Sequence, residues 1–193
     1  MDGDPEMLKK YNDIYLSIIM RYKDYIEERE GLYVTDLPKL VTPEDPAVVS
    51  VAKGIMNQFP SYSYDRDFLE AARLAYLYIK DNVSTVNLPI QYWQRPGETI
   101  SNRAGDPFDK AVLLCSVLIA LGCAASKIIM ALTDGKRDFI VYSEYKDEII
   151  IVDLERGPGK AHGRDDLLSR IKIGANNETS AYEFNDKMYN DIV

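Results

Sequence analysis

A single histidine, His162, stands in this chain of 193 residues. Any mechanism that needs an imidazole base must use that residue or do without one. Cysteine is almost as scarce. The two thiols, Cys115 and Cys123, lie in one apolar stretch, which excludes a disulfide framework and suits a reducing, cytoplasmic compartment. Positive charge is in deficit, with 23 Lys and Arg against 31 Asp and Glu and a formal charge of −8. A field of that sign repels phosphate backbones and anionic lipid, so neither nucleic acid nor a membrane surface is an expected partner. Long hydrophobic runs are missing as well. The longest, residues 111–125, is too short to span a bilayer and is interrupted by Ser116 and Gly122. The first residues, Met1-Asp2-Gly3-Asp4-Pro5-Glu6, are acidic and do not read as a secretory signal.

What is present is the composition of a folded domain, 46% hydrophobic and 28% charged. The length suits one domain over residues 1–193, with an N-terminal helical extension (1–40), a core (41–156) and a C-terminal loop with helices (157–193). Residues 4–29 read as a helix with Asp4 as N-cap and Pro5 in its first turn. Leu8, Tyr11, Tyr15, Ile18, Tyr22 and Tyr25 recur at spacings of three and four. That stripe is expected to pack on the core. A coiled-coil or partner-binding helix is the alternative, disfavoured because the seam lasts under four heptads. A connector marked by Gly31, Pro38 and Pro43 follows, then a helix opened by Asp45-Pro46 and another over residues 65–82. Residues 83–105 read as irregular, with Pro89, Pro96 and Gly97 as breakers.

Asp106 caps a helix that runs through Leu121 to a stop at Gly122. It is apolar on nearly all sides, so it belongs in the middle of the fold, with Asp109 expected to face solvent. Strands are expected at Lys127–Leu132, Asp138–Tyr145 and Glu148–Leu154, paired as a meander through turns at Asp134-Gly135 and Lys146-Asp147. Gly157, Gly159 and Gly163 mark a loop around His162, and helices over 164–171 and 179–190 are expected to end the chain.

A buried helix followed by an antiparallel meander is a layout that can place a thiol at a helix N-terminus and its base on a neighbouring strand. The helix terminus favours thiolate, an imidazole completes the activation and a carboxylate orients it. The run from Trp93 to Gly122 carries a resemblance. Gly105-Asp106-Pro107-Phe108-Asp109 opens the helix, and Leu113-Leu114-Cys115-Ser116-Val117-Leu118-Ile119-Ala120-Leu121-Gly122 completes it. This resembles the core motif of the transglutaminase-like superfamily, of papain-like fold, especially its prokaryotic members. There a Gly-Asp-Cys-Glu-Asp type sequence opens the central helix. Val41 to Val48, Asp138 to Tyr142 and Ile150 to Leu154 resemble flanking parts of the same core. The resemblance covers residues 40–156 and implies an α+β fold, a central helix on an antiparallel sheet of three or more strands, with extra helices at both ends.

The departures from that pattern bear on activity. The family's cysteine position is Pro107, its histidine position pairs with Asp138, and only Asp153 matches the orienting aspartate. Proline has no nucleophile and no N–H to hold a developing oxyanion. Cys115 and Cys123 lie eight and sixteen residues further on, about 12 and 24 Å along a helix axis, too far to stand in. Asp106-Pro107 is also a sound helix start on its own terms. The expectation is therefore a catalytically inactive domain with a degenerate triad (Pro107, Asp138, Asp153). It would bind a protein or peptide, or serve as a structural module, through a cleft lined by Trp93, Glu98, Asp106, Asp138 and Asp153. The alternative is a hydrolase or acyl-transfer enzyme using non-standard residues, such as the carboxylates of Asp138 and Asp153 in divided roles. No dense ligand loop surrounds these carboxylates, so neither metal nor other cofactor is expected. The oligomeric state is not fixed by the sequence.

Overall fold

The structure, a computed structural model, describes residues 5–30, 33–90, 92–133, 136–154, 156–171 and 180–192. Two consecutive helices, α1 (Pro5–Arg21) and α2 (Lys23–Glu30), lead in. A 3₁₀ helix (Val34–Leu40) buries Leu37 and Leu40 and brings the chain onto the core. Helices α3 (Pro46–Met56) and α4 (Tyr64–Asn82) follow, then a short strand β1 (Ser84–Thr85), helix α5 (Pro96–Asn102), strand β2 (Ala104–Gly105) and the central helix α6 (Pro107–Ala120). Strands β3 (Ser126–Thr133), β4 (Lys136–Tyr145), β5 (Glu148–Asp153) and β6 (Gly157–Ala161) precede helix α7 (Arg164–Arg170). Strands β7 (Ser180–Phe184) and β8 (Tyr189–Asp191) end the chain.

Cap chemistry explains the helix starts. Asp45 accepts a hydrogen bond from the Ala47 N–H at 2.8 Å, with Pro46 at the first position. Pro96, read as a breaker, opens α5 in the same way, while Glu98 reaches back to the Arg95 N–H at 2.8 Å. At the other end of α6, Gly122 adopts φ +109°, and a Cβ there would sit 3.1 Å from the Tyr64 ring, so the position favours glycine twice over.

Six strands form one antiparallel sheet in the order β6-β5-β4-β3-β7-β8, and β1 and β2 form a separate parallel pair. The β4–β5 turn is made by Lys146 and Asp147, both at positive φ, the geometry a tight hairpin demands. The other expected turn, Asp134-Gly135, lies outside the described residues, as does the expected cap Asp4. One face of the sheet, carrying Ile128, Met130, Val141 and Val152, packs with α6. The opposite face, carrying Ile129, Ile140, Tyr142 and Ile151, packs with Leu167 of α7. Helices α3, α4 and α5 cover the outer sides of α6. That is why its residues 111–118 are all buried and why its apolar pattern has no polar face.

Three expectations are corrected. The segment expected to form a last helix over 179–190 makes β7 and β8 in its described part. Residues 180–184 fill the free edge of β3, with Ile129 opposite Glu183 and Ala131 opposite Ala181. Asn185 turns the hairpin by accepting from the Lys187 and Met188 N–H groups. The glycine-marked loop before His162 is instead β6, whose small residues lie along the edge of β5. Helix α1 exists as expected but does not pack on the core, for none of its residues is buried.

Candidate functional site

The start of α6 is built by two aspartates that cap each other. Asp106 Oδ1 accepts from the Asp109 N–H at 2.8 Å, and Asp109 Oδ2 accepts from the Asp106 N–H at 2.9 Å. Asp109 is fully buried, against the expectation that it faces solvent. Its Oδ1 takes the Gln94 N–H at 2.8 Å and its Oδ2 the Gln94 side-chain amide at 3.2 Å. One carboxylate therefore fixes both the helix start and the segment that carries Trp93. Burial pushes its carboxyl up to about 6. The charge of Asp106 adds to that rise, while the donated hydrogen bonds of the Asp106 and Gln94 groups oppose it. The sequence did hold a signal for this role, since Asp-x-x-Asp at a helix start has the spacing of a capping box.

Pro107, the first residue of α6, is exposed and lies on the wall of a cleft of about 290 Å³. Asp138 and Asp153 line the same cleft as Pro107. Phe139, Ile140, Leu154 and Ile171 supply apolar wall, and Arg137, Arg156 and Arg170 bring guanidinium groups. The arginines were not anticipated as cleft residues, because they come from three separate elements and share no local spacing. The side chains named here carry three positive and two negative charges in a chain of net charge −8.

The remaining expected cleft residues have other posts. Trp93 packs against Phe108, with ring centroids 4.8 Å apart and ring planes tilted by 40°, and supports the cleft from behind, since the Arg137 guanidinium lies 5.5 Å from its ring centroid. Its indole N–H is buried and has no partner among the described residues. Glu98 and Asp106 are engaged as caps of α5 and α6 and do not line the cleft. Asp153 turns the chain after β5, its Oδ1 accepting from the Arg156 N–H at 2.9 Å and its Oδ2 lying 3.9 Å from Arg156 Nε.

Strand alternation puts Asp138 and Phe139 on opposite faces of the sheet. Asp138 follows the alternation of Ile140 and Tyr142, on the α7 side of the sheet, and Asp153 follows that of Ile151. The β4 side chain that meets the first turn of α6 is Phe139, its ring centroid 5.4 Å from that of Phe108. No imidazole lines the cleft among the described residues. His162 is exposed at the entrance to α7, its backbone N–H donating to Asp166. Both cysteines are buried, and burial holds the Cys115 thiol well above its ordinary pKa. Among the described residues no group of three or more His, Cys, Asp or Glu side chains is placed to hold a metal ion. No helix among them is long and apolar enough to cross a membrane.

A central helix buried between a helical layer and an antiparallel sheet, with a cleft at its N-terminus, is an α+β architecture of transglutaminase-like fold. Among solved structures, LapG of Legionella pneumophila is similar at a TM-score of 0.51 and 16% identity, over 82% of this chain and 87% of that one. A candidate protease from Parabacteroides distasonis aligns at a TM-score of 0.45 and 15% identity over 66% of this chain, which spans 30% of that protein's length. No family model and no curated protein sequence matches the chain.

Proposed function

We propose that this chain is a catalytically silent transglutaminase-like domain whose cleft binds an acidic segment of a peptide or protein. The observation that carries this reading is Pro107 at the first turn of α6, on the wall of a cleft that is open and lined by three arginines. A thiol mechanism needs a nucleophile, an imidazole and a donor for the oxyanion. Proline supplies none of these, and Phe139 offers no base from the neighbouring strand. Arginine's planar fork of donors suits carboxylates in a way that the cleft's apolar floor alone would not.

The test is a fluorescence-anisotropy titration with short labelled peptides, acidic against basic, together with peptide-hydrolysis and acyl-transfer assays. The expected result is salt-sensitive binding of acidic peptides without turnover. A double Arg137→Ala/Arg156→Ala change is expected to weaken that binding at least about tenfold. Because Asp138 and Asp153 share the cleft, turnover by the unmodified chain that disappears in Asp153→Asn would instead establish a carboxylate-based hydrolase.

A further inference from the structure

The helical path of α1 continues into α2 through Tyr22, whose N–H donates to the Ile18 and Ile19 carbonyls and whose own carbonyl accepts from the Ile26 N–H. Along this path Leu8, Tyr11, Tyr15, Ile18, Tyr22 and Tyr25 form an alternating three- and four-residue seam, each 45–60% exposed. A seam with this period seeks another helix, yet α1 buries no residue. Met7 and Ile14 widen the stripe and are also exposed, while Leu16 and Met20 project from the far side of the helix. Large side chains of this kind cover about 150–250 Å² when buried, so eight of them about half exposed present on the order of 800 Å². That exceeds the few hundred Å² a monomer ordinarily leaves open and matches one side of a standard protein interface, about 800 Å².

We propose that a second copy of this chain covers this face, the two α1 helices packing antiparallel about a twofold axis between Tyr15 and Ile18. The seam is self-complementary in that orientation. In an antiparallel pair, positions a and d meet, which sets Leu8 against the partner's Tyr25, Tyr11 against the partner's Tyr22 and Tyr15 against the partner's Ile18. The acidic balance of the whole chain disfavours an anionic lipid surface as the occupant. Space for the partner continues beside the seam, where a groove of about 400 Å³ runs between Tyr15, Leu16 and Ile19 and the segment Leu88 to Ile90.

Sedimentation equilibrium of the full chain decides it. The expected result is reversible dimerisation with a dissociation constant in the micromolar range. Tyr15→Glu/Ile18→Glu is expected to run at half the mass and, at protein concentrations well below that dissociation constant, to keep the wild-type melting temperature, since both side chains lie outside the core. The direction is read by disulfide trapping: Tyr11→Cys mixed with Tyr22→Cys is expected to cross-link, and Tyr11→Cys with itself is not. A wild-type monomer at about 100 µM, or a double variant that stays dimeric, overturns the proposal. If the monomer co-sediments with phosphatidylcholine vesicles and the double variant does not, the face belongs to lipid. If neither binds vesicles, it belongs to a different protein. Self-linking of Tyr11→Cys overturns the antiparallel arrangement.

Discussion

At Pro107 the ring nitrogen carries no hydrogen, so the first turn of α6 presents one donor fewer to the cleft. Placing a thiol here is expected to give reactivity without catalysis. Pro107→Cys places an exposed thiol at a helix start, and iodoacetamide should alkylate it far faster than buried Cys115 or Cys123. Hydrolysis and acyl transfer by this variant should stay at background, because the side chain opposite is Phe139 and His162 lies outside the cleft. Turnover by Pro107→Cys would mean that another base reaches the site. Asp109 makes a different statement at the same scale. Its folded pKa, about 6, is above that of an unfolded aspartate. Its contribution is therefore fully present below the unfolded pKa and is lost as pH rises through 6. The stability difference between wild type and Asp109→Asn should fall by on the order of 3 kcal/mol between pH 4 and pH 7, as read from urea denaturation at both pH values. A pH-independent difference would show that its hydrogen bonds hold the carboxyl near its unfolded value. The sequence placed Asp106 correctly as a cap but left Asp109 in solvent. An aspartate one turn into an apolar helix can be solvated or buried with equal local sense, and only the approach of Gln94 settles which.

Helix α6 was legible at both ends because caps and stops are local chemistry: Asp106-Pro107 at the start and Gly122 at the end. The meander β3-β4-β5 was legible for the same reason, since its apolar runs and the Lys146-Asp147 turn lie close in sequence. The last two strands were not. Residues 180–184 carry too few positions to separate a period of two from one of 3.6, and what makes them a strand is the open edge of β3, some fifty residues earlier. The α7 side of the sheet was equally hidden. There Tyr142 and Arg164 both donate to the buried carboxylate of Glu183. Burial would push that carboxyl up, but the hydrogen bond and charge of Arg164, helped by Tyr142, hold it below the ordinary range. With a lowered folded pKa, the stabilisation is present above the unfolded pKa and is lost as pH falls through the folded one. Arg164→Ala should destabilise the protein at pH 7 by about 1–3 kcal/mol, allowing for the partial exposure of the guanidinium. The loss should shrink towards pH 4, where Glu183 in the variant takes up a proton. Equal destabilisation at both pH values would assign the effect to lost packing instead.

The whole molecule has a helix-and-sheet body and an α1–α2 arm whose described side chains add none to its core; the sequence marked the arm off as an extension but did not reveal that its stripe stays outside the core. Periodicity tells which side of a helix is apolar, and the same stripe serves for a core and for a partner. Within the body, the two cysteines report on its cohesion. Cys115 lies inside α6, and Cys123 follows it, with its sulfur 3.4 Å from the Tyr64 hydroxyl on α4 and 3.7 Å from the Glu144 carbonyl on β4. Exposing either thiol requires α6 to part from both the helical layer and the sheet, which is close to global unfolding. In native buffer both should therefore react with a disulfide reagent at one shared slow rate, and that rate should rise with urea with the same dependence as the unfolding rate. Removal of residues 1–30 should leave it unchanged, since α1 contributes no buried side chain. Labelling of Cys123 well ahead of Cys115 would instead identify a partial opening at the C-terminal end of α6. The body would then be two cooperative units, with the start of α6 and its cleft in the more stable one.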